Sequence, residues 1–417
     1  MIHRSGGIGP HREGKAKPFE SHFRGRKGEV CIVDTTLRDG EQTAGVVFAT
    51  REKVRIARLI SEVGVREMEV GTPWLCPEER EAITEICALG LESRTLAFCQ
   101  AEPSEIELAA ETGVDAVVIS AGVSEIHLRK RYVKGREWVL DKVRAAAEAA
   151  KDKDLPFIVS AEDASRANVD FLLSYVVLAE ELGADRFRFC DSLSVLDPFT
   201  SFQVVQTVLG ATDLDVEVHC HNDFGMATAN SLAGIRAGAK FVTVSVNGIG
   251  ERTGNAPLEE VVMALKHLDQ VDLGITTRNF RELSEYVARA SSRAIPVWKA
   301  IVGTNVFAHE SGIHADGVLK NPLTYEVFSP DEVGLARQLV VGKHSGSRTI
   351  QHKFREFGID LSDKEANQVL LEARQMSVDF KRSLFDKELM YIYQDFIQRD
   401  ERRKEVDKVG VMDEDDD

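Results

Sequence analysis

Eight times between residues 29 and 270, a short apolar run is followed by an amphipathic helical stretch. Such regular alternation leaves few folds open. The runs Val30–Val33, Glu67–Val70, Thr95–Phe98, Ala116–Ile119, Phe157–Ser160, Arg186–Phe189, Asp215–Val218 and Phe241–Val244 read as strands. Helical periodicity follows in stretches such as Arg51–Val63, Glu78–Ala88, Pro103–Glu111, Trp138–Ala150, Val169–Leu182 and Phe199–Leu209. The class is α/β, and eight such units over roughly 240 residues predict a (β/α)8 TIM barrel. A doubly wound sheet is the alternative, but no good Gly-x-Gly-x-x-Gly follows the first strand. The run Gly248-Ile249-Gly250-Glu251-Arg252-Thr253-Gly254 comes after the last strand, with the wrong spacing to cradle a dinucleotide.

The remainder divides by composition. Residues 1–28 form a polar, glycine-rich leader without the apolar core of a secretory signal, and read as mostly disordered. The barrel is expected over 29–275. Residues 276–330 hold one helix, Arg281–Ala294, and an irregular stretch rich in His, Gly and Asn. Residues 331–403 are helical and strongly charged, and 404–417 are an acidic tail. Two small, mainly helical C-terminal subdomains are therefore predicted after the barrel.

Charge and cysteine usage exclude several functions. Lys and Arg number 52 against 68 Asp and Glu, a net charge of −16, which argues against a nucleic-acid partner. No apolar run approaches the ~20 residues that cross a bilayer. Six cysteines are scattered without a Cys-x-x-Cys pair, as suits reduced thiols in a cytoplasmic protein.

In a barrel of this kind, catalytic side chains gather at the C-terminal ends of the strands. Arg38 and Asp39 follow the first strand, Glu162 and Asp163 the fifth, and Asp191 and Ser192 the sixth. His219 and His221 end the seventh, and Asn255 follows the eighth. Residues two apart on a strand point the same way, so both imidazoles aim at one place while Cys220 points the opposite way and packs. Strands one, seven and eight are neighbours in a closed barrel, so Asp39, His219, His221 and Asn255 are expected to converge. Two imidazoles, a carboxylate and an amide oxygen suit Mg, Mn, Zn or Fe as a divalent ion. Two open positions on it could chelate a 2-oxo acid and make its keto carbon electrophilic. Arg38 could put a fixed positive charge where an alkoxide develops. Taken alone, a His-x-His pair is as often structural, and Arg38 reads equally well as an ion pair in the barrel mouth.

Three long motifs occur in order. They are Asp34-Thr35-Thr36-Leu37-Arg38-Asp39-Gly40-Glu41-Gln42, His219-Cys220-His221-Asn222-Asp223-Phe224-Gly225 and Asn247-Gly248-Ile249-Gly250-Glu251-Arg252-Thr253-Gly254-Asn255-Ala256. With them the chain resembles the 2-isopropylmalate synthase and homocitrate synthase family, from about residue 29 to 395. Within it the chain looks most like homocitrate synthases of the nitrogenase-associated type, on the stretches 43–46, 87–98, 162–166 and 302–319.

The resemblance implies a metal-assisted Claisen-type condensation of acetyl-CoA with a 2-oxo acid, foremost 2-oxoglutarate, followed by thioester hydrolysis. It implies Asp39, His219, His221 and Asn255 as metal ligands and Arg38 as the catalytic arginine. Ser160 and Glu162 would line the acceptor pocket, with Glu162 also counted among the catalytic residues. Ser192 stands where the family usually has Thr and would bond the acceptor carboxylate. His314 would act in acid–base chemistry, with Tyr325 eleven residues later orienting it or a water. In relatives these two come from the partner subunit of a domain-swapped homodimer, which places the 276–330 subdomain at the partner's active site.

One position departs from that pattern. Lysine-pathway homocitrate synthases carry an Arg four residues before the equivalent of Glu162, and here that residue is Ile158. Arg129, Lys130 and Arg131 are candidates for the missing cation, although a solvated basic turn explains them as well. Other acceptors, giving 2-isopropylmalate, citramalate or citrate, remain alternatives. So do a carbon–carbon lyase of the 3-hydroxy-3-methylglutaryl-CoA lyase type, a metallohydrolase, and a non-enzymatic binder of 2-oxo acids. His127 and His309 read as surface or satisfied histidines first, with a place in the pocket as the alternative. Gly342-Lys343-His344-Ser345-Gly346 reads as a tight turn with a helix cap.

Overall fold

The computed structural model of the chain describes residues 30–410, with side chains to residue 402. The predicted leader at 1–28 and the last acidic residues, 411–417, lie outside the described residues. Eight parallel strands close in chain order into a barrel. They are β1 (Cys31–Asp34), β2 (Glu67–Gly71), β3 (Arg94–Gln100), β4 (Ala116–Gly122), β5 (Phe157–Glu162), β6 (Arg186–Asp191), β7 (Asp215–Cys220) and β8 (Phe241–Val244). Closure is made by β1 and β8, where Val33 pairs with Thr243 and Asp34 with Val244.

The intervening helices are α1 (Thr50–Glu62), α2 (Pro77–Cys87), α3 (Pro103–Glu111), α4 (Arg136–Asp152), α5 (Val169–Glu181), α6 (Pro198–Leu209), α7 (Ala227–Ala237) and α8 (Leu258–Leu268). Their starts follow from sequence chemistry. Pro77, Pro103 and Pro198 open helices where the missing N–H costs nothing. Ahead of α6, the Asp197 side chain accepts from the Phe199 and Thr200 amides. Each helix turns an apolar stripe to the sheet; α1, for example, buries Ile56, Ala57, Leu59 and Ile60.

The barrel interior holds an apolar cluster and an ionic chain side by side. Val33, Leu96, Ala116, Val118 and Ile158 pack together in it. Beside them, ion pairs run from Arg94 to Glu67, Arg186, Glu217, Arg188, Glu69 and Arg38 in alternating sign. Arg186 lies 2.7 Å from Glu67 and 2.5 Å from Glu217, and Arg188 Nε lies 2.6 Å from Glu217. Arg188 Nη1 donates to Glu69, whose other oxygen takes Arg38 Nε at 2.5 Å. Thr35 and Thr243 hydroxyls donate to Glu69 and Glu217. Buried charges persist when each is paired with one of opposite sign, as along this chain.

The sequence expectation for the C-terminal region needs adjustment. Helix α9 (Phe280–Ala290) buries Phe280, Leu283 and Val287 in the barrel's own core, so that unit runs past residue 275. Strand β9 (Ala308–His309) pairs with β10 (Gln338–Leu339), across the expected boundary at 330. Between them lies α10 (Gly312–Lys320). Helices α11 (Ser347–Glu356), α12 (Asp363–Phe380) and α13 (Asp386–Gly410) enclose a second core around Val341, Ile350, Phe354, Val369 and Leu389. Because α13 reaches Gly410, residues 404–410 continue a helix instead of starting a tail.

Candidate active site

Strand β7 carries His219, and His221 follows directly after its end with the alternation continued through Cys220. Their Nε2 atoms lie 3.1 Å apart, and Cys220 between them is buried in the barrel core. Asp39, at the turn after β1, brings Oδ2 to 3.4 Å from His219 Nε2 and 3.7 Å from His221 Nε2. These three buried residues offer ligand atoms that all lie within 4.8 Å of one another, and they form the sole such cluster among the described residues.

Asn255 joins them through its backbone, which pairs with His221 in an antiparallel bridge. Its amide N–H donates to Gly248 O at 3.0 Å and its Nδ2 to Ile249 O at 3.2 Å. This fold of the glycine-rich run requires Gly254, whose φ is +93° and where a Cβ would stand 1.9 Å from Gly248 O. The run holds Asn255, not a dinucleotide.

Electrostatics match a cation site. Burial alone would raise the Asp39 carboxyl, but Arg38, His219 and His221 hold it well below the usual carboxylate range. Burial, then the neighbouring His219, push the His221 imidazole down to about 3. At neutral pH the site therefore offers an ionised carboxylate and an uncharged imidazole, as metal ligation needs. Asp39 Oδ2 and Asn255 Oδ1 are buried with no hydrogen-bond partner among the described residues. Orphaned acceptors of this kind beside paired imidazoles fit a bound divalent ion.

A cavity of about 340 Å³ opens on this cluster, lined by Arg38, Asp39, Ser160, Glu162, Ser192, His219 and His221 among others. Arg38 is both things the sequence allowed. It is ion-paired to Glu69, and it faces the cavity with its guanidinium 4.2 Å from the Phe98 ring centre. Ser160 Oγ lies 3.4 Å from Cys190 Sγ. Ser192 Oγ accepts from the Asp163 amide at 2.9 Å. Glu162 is gripped by Arg131 at 2.7 and 2.8 Å.

Several expectations are corrected. Of the three basic residues after β4, only Arg131 lines the cavity; Arg129 is exposed and pairs with Glu125. His127 is no surface histidine. It lines the cavity, with Nδ1 4.0 Å from Glu162 and Nε2 3.9 Å from Asp163, and its Nδ1 has no hydrogen-bond partner among the described residues. Arg188, Gln100 and Ser120 also line the cavity and escaped sequence reading. Their signal was inward alternation along apolar strands.

His314 and Tyr325 stack on each other, with ring centres 4.2 Å apart, but they are exposed and do not line this cavity within one chain. The Gly342–Gly346 run seats the helix that carries His314. Gly312 N donates to His344 O at 3.1 Å, and Ser345 Oγ bonds Gly342 N and Glu310 O.

Fold and site together define a (β/α)8 barrel with a buried carboxylate–bis-histidine cluster at its C-terminal mouth, arranged as one that could hold a metal ion. A family model described as HMGL-like matches residues 29–287, and one described as homocitrate synthase post-HMGL domain-like matches 301–381. The chain is 55% identical over 368 residues to 2-isopropylmalate synthase 2 of Caldanaerobacter subterraneus subsp. tengcongensis, covering 88% of this chain and 96% of that protein. It is 50% identical over 362 residues to homocitrate synthase 1 of a Nostoc species, covering 87% and 96%. The HMG-CoA lyase structure of Bacillus subtilis superposes with a TM-score of 0.58 at 20% identity, over 64% of this chain and 95% of that one, which shows the shared barrel. The chain belongs to the HMGL-like family and, within it, to the group of 2-isopropylmalate and homocitrate synthases.

Proposed function

We propose that this protein is an acyltransferase that condenses acetyl-CoA with a 2-oxo acid, with 2-oxoglutarate as acceptor and homocitrate and CoA as products. The observation that carries the reading is the Asp39–His219–His221 cluster, with its orphaned Asp39 Oδ2, opening on the same cavity as Arg38. Asp39, His219, His221 and Asn255 would hold the divalent ion. When bound, that ion supplies Lewis-acid polarisation of the acceptor's keto group.

The chain's own residues do the rest. Ser160, Glu162 and Ser192 position the acceptor along β5 and β6. A base, assigned to His314 with Tyr325 beside it, takes a proton from the acetyl-CoA methyl group. The resulting enolate carbon bonds to the keto carbon, and Arg38 places its charge by the oxygen that becomes negative. Water then displaces CoA from the thioester, which draws the reaction forward. An adjoining cavity of about 360 Å³ shares Arg38 and Gln42 and is lined by Val46, Val47, Phe48 and Leu75, giving room for the thioester co-substrate.

His314 and Tyr325 would reach the site from a second copy of the chain. In support, Ile313, Leu323 and Val327, close to them in the chain, are 77%, 80% and 78% exposed, apolar side chains suited to a partner. A cytoplasmic location fits the six cysteines, all of them free. Among the described residues, no helix is long and apolar enough to cross a membrane. What supports service to nitrogenase cofactor assembly is the resemblance of the stretches 43–46, 87–98, 162–166 and 302–319.

A second reading keeps the chemistry and changes the acceptor to 2-oxoisovalerate, because a relative at 55% identity is a 2-isopropylmalate synthase. Pyruvate and oxaloacetate are the remaining acceptors of that class. A carbon–carbon lyase is disfavoured by the match of residues 301–381 to a domain named for homocitrate synthase. Product identification by mass spectrometry, with each of the four 2-oxo acids and acetyl-CoA, tests the proposal. Homocitrate from 2-oxoglutarate is expected, and no condensation product from any acceptor would refute it.

A further inference from the structure

Gln100, Ser120, Ser160 and Arg188 are register partners across β3, β4, β5 and β6, and all four side chains line the cavity beside the metal-ligating cluster. They form a polar belt across half of the barrel mouth. Arg188 ends it. Its guanidinium is buried, with Nη1 bonded to Glu69; neither Nε nor Nη2 has a hydrogen-bond partner among the described residues, but Nε has Glu217 at 2.6 Å as its ion-pair partner. A buried guanidinium N–H left without an acceptor is rare, and it points to an acceptor that arrives with a ligand. From the rim, Arg131 reaches the other end of the belt, with Nη2 3.4 Å from Gln100 Oε1.

Ile158 explains why the belt is needed. Its side chain is packed against Val33, Leu96, Ala116 and Val118 inside the barrel, so that position of β5 offers no charge to a substrate. The cation nearest in register to the cavity-lining Ser160 is Arg188, directly across from it on β6. A branched aliphatic side chain laid on this belt would leave Nη2 and the polar groups unpaired, whereas a carboxylate would satisfy them.

We infer that the acceptor is a dicarboxylic 2-oxo acid and that Arg188 Nη2 receives its distal carboxylate. Arg188 is then a specificity-determining residue of this chain. The inference deepens the condensation reading and rests on it for which end of the acceptor reacts.

The test measures binding and turnover separately. The full chain loaded with Mn²⁺ is titrated calorimetrically with 2-oxoglutarate, oxaloacetate, 2-oxoisovalerate and pyruvate, and CoA release is assayed with each. The wild type should bind a dicarboxylic acid at least about tenfold more tightly than either monocarboxylic one. Arg188→Lys keeps a charge between Glu69 and Glu217 but removes the second terminal nitrogen. It should weaken dicarboxylate binding at least about tenfold and narrow the preference correspondingly. A wild type that prefers 2-oxoisovalerate or pyruvate overturns the inference, as does an Arg188→Lys variant that weakens all four acids alike. Should that variant fail to fold, the wild-type order of affinities decides alone. Dicarboxylate binding through Arg188 with no CoA release would refute the condensation reading and leave this one standing.

Discussion

His219 and His221 face each other through their Nε2 atoms, 3.1 Å apart, with Asp39 Oδ2 at 3.4 and 3.7 Å. Both lone pairs can serve one ion only if both imidazole protons sit on Nδ1. Neither Nδ1 has a hydrogen-bond partner among the described residues, so no protein acceptor there fixes the tautomers, and a bound ion would fix them.

Asp39 is the one anionic group in the cluster. Asp39→Ala should lower Mn²⁺ affinity at least about 100-fold while the melting profile of the metal-free protein stays close to wild type. Calorimetric titration with Mn²⁺ and circular dichroism measure the two. Undiminished affinity would remove Asp39 from the site.

Gly254 supports the site without touching an ion. Gly254→Ala puts a Cβ where Gly248 O stands, at a φ of +93°. It should cost roughly 1–3 kcal/mol of stability. It should also weaken Mn²⁺ binding, because Asn255 must shift with the loop. Thermal melting and metal titration of this one variant check both effects.

Glu69 sets an acid limit. Burial would raise its carboxyl, but Arg188 and then Arg38 bring it from 4.5 down to about 2. A carboxylate held low in the fold stabilises fully above its unfolded value, and that contribution fades as pH falls through the folded one. Glu69→Gln should therefore melt below wild type at pH 7. The gap should shrink as pH drops from 4.5 toward 2. A gap that stays constant with pH would contradict the charged assignment.

The partner assignment of His314 has a direct test by complementation. Asp39→Ala and His314→Ala homodimers should each be inactive. Mixed after dissociation, half the dimers are heterodimers, each with one intact site, and activity should return to about a quarter of wild type. No recovery in verified heterodimers would place His314 in its own subunit's site or outside catalysis.

The barrel and the convergence of Asp39, His219 and His221 were legible because they rest on short-range rules. β-strand pleating fixes His219 and His221 on one side, and barrel closure brings Asp39 to them. All eight strands appear where apolar runs predict them, although most extend by one to three residues into the polar rim. The ionic chain from Arg94 to Arg38 was not legible, because each member alternates with apolar residues in a run such as Arg186-Phe187-Arg188-Phe189. Pairing of Arg188 with Glu69 is a contact between strands far apart in sequence. His127 was misread for a similar reason, since its place in the cavity depends on the π-helical turn His127–Tyr132. The β9–β10 pair across residue 330 was not legible, because two-residue strands carry no periodicity to read.

The central claim is that the Asp39–His219–His221 cluster serves condensation, and metal depletion tests it most directly. Thiol release from acetyl-CoA would be followed with 2-oxoglutarate before chelation, after chelation, and after return of Mg²⁺ or Mn²⁺. The account predicts release that needs the acceptor, disappears on chelation and returns with the ion. Acceptor-dependent release that persists unchanged in protein verified as metal-free would contradict it.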